Sequence, residues 1–313
     1  MLVSASRRTD IPAFYTPWLL GRLRAGFAVV PNPFNPRQAS TVSLRPEDAA
    51  AFIFWTRNPR PLAPHLPEIA GRGQETLFLH TLLDYPRALE PHTPDLEAAV
   101  AGFVALSRQI GAERVIWRYD PIVPSTVTDA AFHLRTFARI ARALAGHTRR
   151  VIISLVECYR KTRARLAPLA DLGLAPQPPD QTFLDALMPG LVRLATAHDM
   201  EIQSCAQALD LEPYGITRGR CLDPDYLRRH LGLDVPDEKD PGQRPLCGCA
   251  PSRDIGMYDT CLCGCAYCYA TSSFDQAREN RRRHDPAATS LVAPSAAESA
   301  PRQHTLPGME KGA

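Results

Sequence analysis

The sequence predicts an α/β protein with a mainly parallel sheet, folded as a (β/α) barrel within a single domain over residues 1–275. Three observations carry this. Seven short runs of apolar, β-branched and aromatic residues recur through the first two hundred residues, and helix-period segments lie between several of them. Polar residues gather where the runs end, which is where parallel α/β folds bind ligands. A closed or partly closed barrel is the first expectation and a doubly wound open sheet the second; the rules of chain crossover do not separate them.

In chain order, the predicted strands are residues 2–6 (LVSAS), 27–31 (FAVVP), 51–56 (AFIFWT), 76–82 (TLFLHTL), 114–119 (RVIWRY), 151–156 (VIISLV) and 201–206 (EIQSCA). Helical patterns fall at 16–25, 94–110, 129–145 and 182–198. The third places Phe132, Leu134, Phe137, Ile140, Ala141 and Leu144 along one face. Residues 167–181 (APLADLGLAPQPPDQ) read as a Pro-rich loop, and 234–246 (DVPDEKDPGQRPL) as a polar, turn-rich approach to a cysteine cluster. Beyond residue 275 the apolar period is lost, so 276–313 is expected to be a disordered tail. Its run at Arg281–His284 reads as solvated terminal charge.

Composition narrows the function. Of the residues, 45% are hydrophobic and 22% charged, which excludes a wholly disordered chain, and a net charge of +3 does not by itself announce a nucleic-acid binder. Lys161, Lys239 and Lys311 are the only lysines among 36 basic residues, a bias that GC-rich coding explains. No run approaches the roughly 20 apolar residues of a membrane span. The opening MLVSASRRTDIP sets Arg7, Arg8 and Asp10 where a signal peptide needs its apolar stretch, so a soluble cytoplasmic protein is expected. In a reducing compartment, nine cysteines are thiols or metal ligands rather than disulfides.

The predicted strand ends carry Arg7, Arg8 and Asp10 after the first strand, Arg57 after the third, His80 in the fourth, Arg118 and Asp120 at the fifth and Glu157 at the sixth. Parallel strands would turn these candidate catalytic and binding groups to one mouth. Arg7, Arg8 and Arg118 suit a carboxylate or phosphate. Asp10, Asp120 and Glu157 suit the hydroxyls of a ribose or an amine.

Eight of the nine cysteines lie between positions 205 and 268, and six within LCGCAPSRDIGMYDTCLCGCAYC. Cys261, Cys265 and Cys268 have the spacing C-x3-C-x2-C. Three thiolates on one loop can hold three irons of a [4Fe-4S] cluster and leave the fourth open, and Gly264 permits the tight turn this needs. Zinc competes: Cys265-x2-Cys268 is a half-site that Cys247-x-Cys249 could complete. Cys205, Cys221, Cys247 and Cys249 together could instead hold an auxiliary cluster or a structural zinc. Cys263 has no assigned role, and Cys158 reads as a lone thiol.

C-x3-C-x-Tyr-C resembles the cluster motif of the radical S-adenosylmethionine (radical SAM) superfamily. The resemblance implies a [4Fe-4S] cluster whose open iron chelates S-adenosylmethionine, and an electron that splits the cofactor to a 5′-deoxyadenosyl radical. It implies that Tyr267 lies near the adenine. The cofactor's carboxylate is anionic, so a strand-end arginine, Arg7 or Arg118, is expected to meet it. Over about residues 3–272, the segments SASRRTDIPAFY, NPFNP, FWTRNP, WRYDPI and CGCAPSRDIGMYDTC resemble an uncharacterised bacterial family, a domain of unknown function whose C-terminal cysteines are similar to the radical SAM motif. In radical SAM enzymes the motif usually follows the first strand, so its place near the C-terminus implies a circularly permuted barrel. No GGE-type segment, the usual contact of the methionyl amine, is present. FWTRNP and WRYDPI resemble strand ends of the spore photoproduct lyase branch, which implies a nucleobase-type substrate beside the general small-molecule one. An enzyme of this kind needs a ferredoxin- or flavodoxin-type electron donor. The alternative is a non-catalytic iron–sulfur or zinc-binding redox sensor or binding module, with the metal fully ligated.

Overall fold

A computed structural model describes residues 1–293, the side chains of Pro36 and Arg37 excepted. The elements in order are β1 (Leu2–Ser4), α1 (Ile11–Phe14), α2 (Thr16–Ala25), β2 (Phe27–Asn32), β3 (Asn35–Ser43), β4 (Ala51–Thr56), α3 (Leu66–Ala70), β5 (Glu75–Thr81), α4 (Leu96–Ile110), β6 (Val115–Ile122), α5 (Ala130–Ala143), β7 (Arg150–Leu155), α6 (Arg160–Leu166), α7 (Gln181–Thr196), β8 (Glu201–Cys205), β9 (Thr217–Gly219), α8 (Pro224–Leu231), β10 (Ser252–Asp254) and α9 (Phe274–Arg283). Eight strands form one parallel sheet in the order β10-β1-β4-β5-β6-β7-β8-β9. Among the described residues no pairing joins β9 to β10, so the sheet is not closed.

Parallel strands are buried on both faces, and β4 is buried at every position. Alternation then divides each strand between two cores. Phe52, Phe54, Phe78, Trp117, Val151 and Ile153 pack on one face, with α2, α4, α5 and α7. Leu2, Ile53, Trp55, Leu79, Ile116 and Ile152 pack on the other face, with α8 and four cysteines. Fully burying one such side chain contributes about 1.5–3 kcal/mol. The crossover helices start at side-chain caps: Asp95, Asp129 and Asp180 accept from the backbone N–H of Ala98, Phe132 and Phe183 at 2.7–2.8 Å.

Two expectations are corrected. The strand predicted at 27–31 exists as β2 but does not join the main sheet; it pairs antiparallel with β3 in a separate ribbon. The Asn32 Oδ1 atom accepts from the N–H of Phe34 at 2.9 Å and turns the chain back at once. A parallel partner would have needed a crossover of a dozen or more residues. The predicted tail also starts too early. Ser273 caps α9 through Gln276 N–H, and Asn280 Nδ2 donates to Asp259 O at 2.8 Å. Farther on, Trp18 Nε1 donates to Ala288 O and Val29 N–H to Thr289 O, while Leu291 and Val292 are buried. Few apolar residues hold this segment, so apolar periodicity does not reveal it. Residues 294–313, the rest of the predicted tail, lie outside the described residues.

Candidate functional site

A cavity of about 220 Å³ opens at the carboxyl ends of the parallel strands. Ser6 to Asp10 line it after β1, Trp55 to Arg57 from β4, Thr81 from β5, Arg118 and Asp120 from β6, Ser154 to Glu157 from β7, and Cys205 from β8. The loop between β10 and α9 supplies another wall: Cys261, Cys263, Cys265, Tyr267 and Cys268 all line the same space.

That cysteine loop is clamped from three sides. Ala266 N–H donates to Leu89 O at 2.9 Å and His92 N–H to Cys263 O at 3.2 Å, so residues 89–92 hold its middle. Tyr15 OH donates to Thr260 O at 2.7 Å at its start. Arg165 of α6 donates to Cys268 O and, at 2.7 Å, to Thr271 O at its end. Gly264 adopts φ +72°, and a Cβ there would stand 2.9 Å from Pro91 Cγ, so both backbone and neighbour require glycine.

The four thiols differ. Cys263 donates to Cys261, and this bond, with the backbone N–H groups of Cys263 and Asp10, lowers the Cys261 pKa against its burial. The same bond, with burial, raises Cys263. Burial raises Cys265 and Cys268. Asp10 is buried at the N-terminus of α1 and accepts from Ala13 N–H at 3.0 Å, Thr56 Oγ1 at 2.7 Å and Arg57 N–H at 2.7 Å. Burial nevertheless raises its pKa to about 6.

Around this wall the charges are paired. Arg57 donates to Glu90 at 2.6 Å and to the Tyr267 hydroxyl, which itself donates to Glu90. Arg118 pairs with Asp120, which also accepts from Ser154, while Arg118 Nε is buried without a partner. Arg8 meets Asp254 at 3.2 Å. Glu157 accepts from Arg244 at 2.8 Å and from Tyr159. A paired guanidinium keeps outward N–H groups, so such a cavity can bind an anionic group while remaining near neutral.

Arg7, Arg8, Asp10, Arg57, Arg118, Asp120, Glu157, Tyr267, Cys261, Cys265 and Cys268 thus share one cavity. His80 does not. It is one residue out of phase on β5: Thr81 lines the cavity, and His80 faces α4, stacked 5.1 Å from Phe103. Burial lowers its pKa to about 3. The Arg7 guanidinium is tied to Ser4 at 3.0 Å and Ser252 at 2.8 Å and stacks on Trp55. Cys205, Cys221, Cys247 and Cys249 meet in the second core, with Cys205 also on the cavity wall. As arranged, no group of three or more His, Cys, Asp or Glu among the described residues could hold a metal ion. A cubane cluster spaces its thiolates one per iron corner, wider than the ligands of one ion. The donor chemistry of Cys261, Cys265 and Cys268, three thiols on one wall of one cavity, fits it.

Sequence reasoning missed Glu90, Arg165, Arg244 and Asp254. Only Asp254 carried a signal, its place in SRD just before the cysteine motif. No helix among the described residues is long and apolar enough to cross a membrane. The pattern of the family described as "Domain of unknown function (DUF1848)" matches residues 2–270. No curated protein matches the chain.

Proposed function

The chain belongs to the DUF1848 family, and on that premise we propose that it is an iron–sulfur protein acting as a radical S-adenosylmethionine-like enzyme. The observation that carries the reading is the sharing of one cavity by Cys261, Cys265 and Cys268 with the strand-end arginines and carboxylates. Those three cysteines would hold a [4Fe-4S] cluster. Bound there, the cluster would supply an electron to S-adenosylmethionine at its open iron. The chain's own part is to bind, orient and exclude water. Arg118, with its free Nε, offers donors to the cofactor's carboxylate, and Asp120 and Glu157 offer acceptors to ribose hydroxyls. Tyr267 lines the cavity with its hydroxyl tied to Glu90 and Arg57, so it offers a fixed ring rather than a free hydroxyl.

The sheet is read as a circularly permuted barrel left open between β9 and β10. In support, residues of β1, β4, β5, β6, β7 and β8 share one cluster on the same face of the sheet. The substrate is read as a small or nucleobase-type molecule with an anionic group, which Arg8 and Arg244 at the rim would attract. The electron would come from a ferredoxin- or flavodoxin-type donor in a cytoplasmic setting.

A second reading rests on Cys263, which lines the same cavity and bonds to Cys261. As a fourth ligand it would close the cluster and leave a redox sensor. Anaerobic reconstitution separates the two. The enzyme reading expects about four irons at the site, a spectrum that changes on adding S-adenosylmethionine, and 5′-deoxyadenosine after dithionite reduction. An intact cluster whose spectrum ignores the cofactor, and which is lost in Cys263→Ala, supports the sensor. A colourless protein that takes up no iron defeats both.

A further inference from the structure

Four cysteines outside the C-x3-C-x2-C motif converge from three separate stretches of chain. Cys205 ends β8, Cys221 follows β9, and Cys247 and Cys249 precede β10. The Cys205 and Cys221 sulfurs are 3.3 Å apart. Cys249 lies beside both Cys221 and Cys247, and its sulfur accepts from Leu222 N–H at 3.5 Å. All four are buried. The contacts form a chain, Cys205–Cys221–Cys249–Cys247, which does not enclose one ion as it stands, so binding must draw its ends together into a tetrahedron.

Two further facts point to a ligand. Arg7 leans on this group with its cation, and its Nη2 is buried without a hydrogen-bond partner. Asp254, which accepts from Arg7 N–H at 2.8 Å, offsets part of this cation, but on the side of the thiols Nη2 faces groups that, while neutral, supply no charge. The location also matters. β9 and β10 are the two edges of the main sheet, and beside the thiols their flanking loops are joined by Ala250 N–H donating to Leu222 O at 3.0 Å.

We infer that Cys205, Cys221, Cys247 and Cys249 form a structural zinc site that ties the two edges of the sheet together. Zinc is chosen over a second iron–sulfur cluster on spacing. A tetrahedral ion with Zn–S near 2.3 Å sets its sulfurs about 3.8 Å apart, close to the separation here, whereas a cubane holds its thiolates farther apart. Binding exchanges four thiol protons, released to solvent, for one Zn²⁺. The tetrathiolate then carries a charge of about −2, and Arg7 offsets part of it. The site is separate from the cavity cluster and does not depend on that reading.

The test is the metal content of anaerobically purified full-length protein, measured by mass spectrometry. The expected result is about one zinc per chain, kept in Cys158→Ser and in Cys261→Ala/Cys265→Ala/Cys268→Ala, and lost in Cys221→Ser and Cys249→Ser. Should those last variants not fold, the wild type suffices. Its four second-site cysteines should resist alkylation until zinc is stripped by a chelator, and cobalt added to the stripped protein should give the intense visible bands of a tetrahedral thiolate. Absence of zinc, zinc retained in the Cys221 and Cys249 variants, iron at these four thiols, or a Cys205–Cys221 disulfide in the fresh protein would each overturn the inference.

Discussion

Arg57 donates to the hydroxyl of Tyr267, 210 positions away in the sequence, and both converge on Glu90. This joins the end of β4 to the cysteine loop through a buried acid. Removing one partner of a buried pair strands the other's charge, at a cost of about 3–5 kcal/mol. Glu90→Ala should therefore lower stability by that amount in urea unfolding, and Tyr267→Phe by only about 1 kcal/mol. Equal costs in the two variants would contradict the arrangement.

Gly264→Ala should destabilise the protein by about 1–3 kcal/mol, because it adds a Cβ at φ +72° and against Pro91. The loop would move before the rest of the fold did. Thiol labelling should accordingly speed up at Cys265 and Cys268 under conditions where the circular dichroism spectrum is unchanged. Unaltered labelling would show that the loop accommodates the methyl group.

Burial holds His80 at a pKa of about 3 and His133 at about 4. Both lie below the unfolded value near 6.5, so the unfolded chain binds more protons in acid. The stability these groups contribute is present above pH 6.5 and is lost as pH falls toward the folded values. Each contributes a slope of up to about 1.4 kcal/mol per pH unit in that window. His80→Leu should flatten the fall in urea midpoint between pH 6.5 and 4.5 relative to wild type. Parallel curves for the two proteins would assign the slope to other groups.

Arg118→Ala should weaken S-adenosylmethionine binding by about tenfold to a hundredfold on the reconstituted protein, the worth of one charge-assisted bond. Equilibrium dialysis reads this directly. Arg24→Ala, which removes an exposed ion pair with Glu68, should leave binding unchanged. Should both variants bind like wild type, the cofactor's carboxylate lies elsewhere.

The parts of the fold that were legible are those where one physical signal dominates. Strands β4, β5, β6 and β7 have apolar, largely buried cores and read as strands from that run alone, and α2 and the crossover helices α4, α5 and α7 fall within a few residues of their sequence periods. The edges β9 (TRG) and β10 (SRD) are three-residue polar strands that only their neighbours define. The sequence does not separate His80 from Thr81, because strand phase cannot be read without knowing which face turns to the cavity. The cysteines stood out by density, and the strand-end arginines by their place. Glu90 and Arg165 reach the site from loops or a helix distant in sequence, a relation set by tertiary packing that no local spacing encodes.

The pairing of β1 with β10 has a consequence for biosynthesis. Ser4 pairs with Asp254 in the ladder and lies diagonal to Ser252, with the two serine hydroxyls 2.8 Å apart, and Arg7 bridges to both. During synthesis at about 5–20 residues per second, β1 can dock on β4 early, yet its other flank waits on the order of ten seconds or more for residue 252 to emerge. Throughout that interval the arginine-bearing wall exists without the wall that carries the cysteines. The nascent chain therefore exposes a half-built concavity in which Arg8 still lacks Asp254, and the motif thiols arrive last, after most of the scaffold around them has had time to fold.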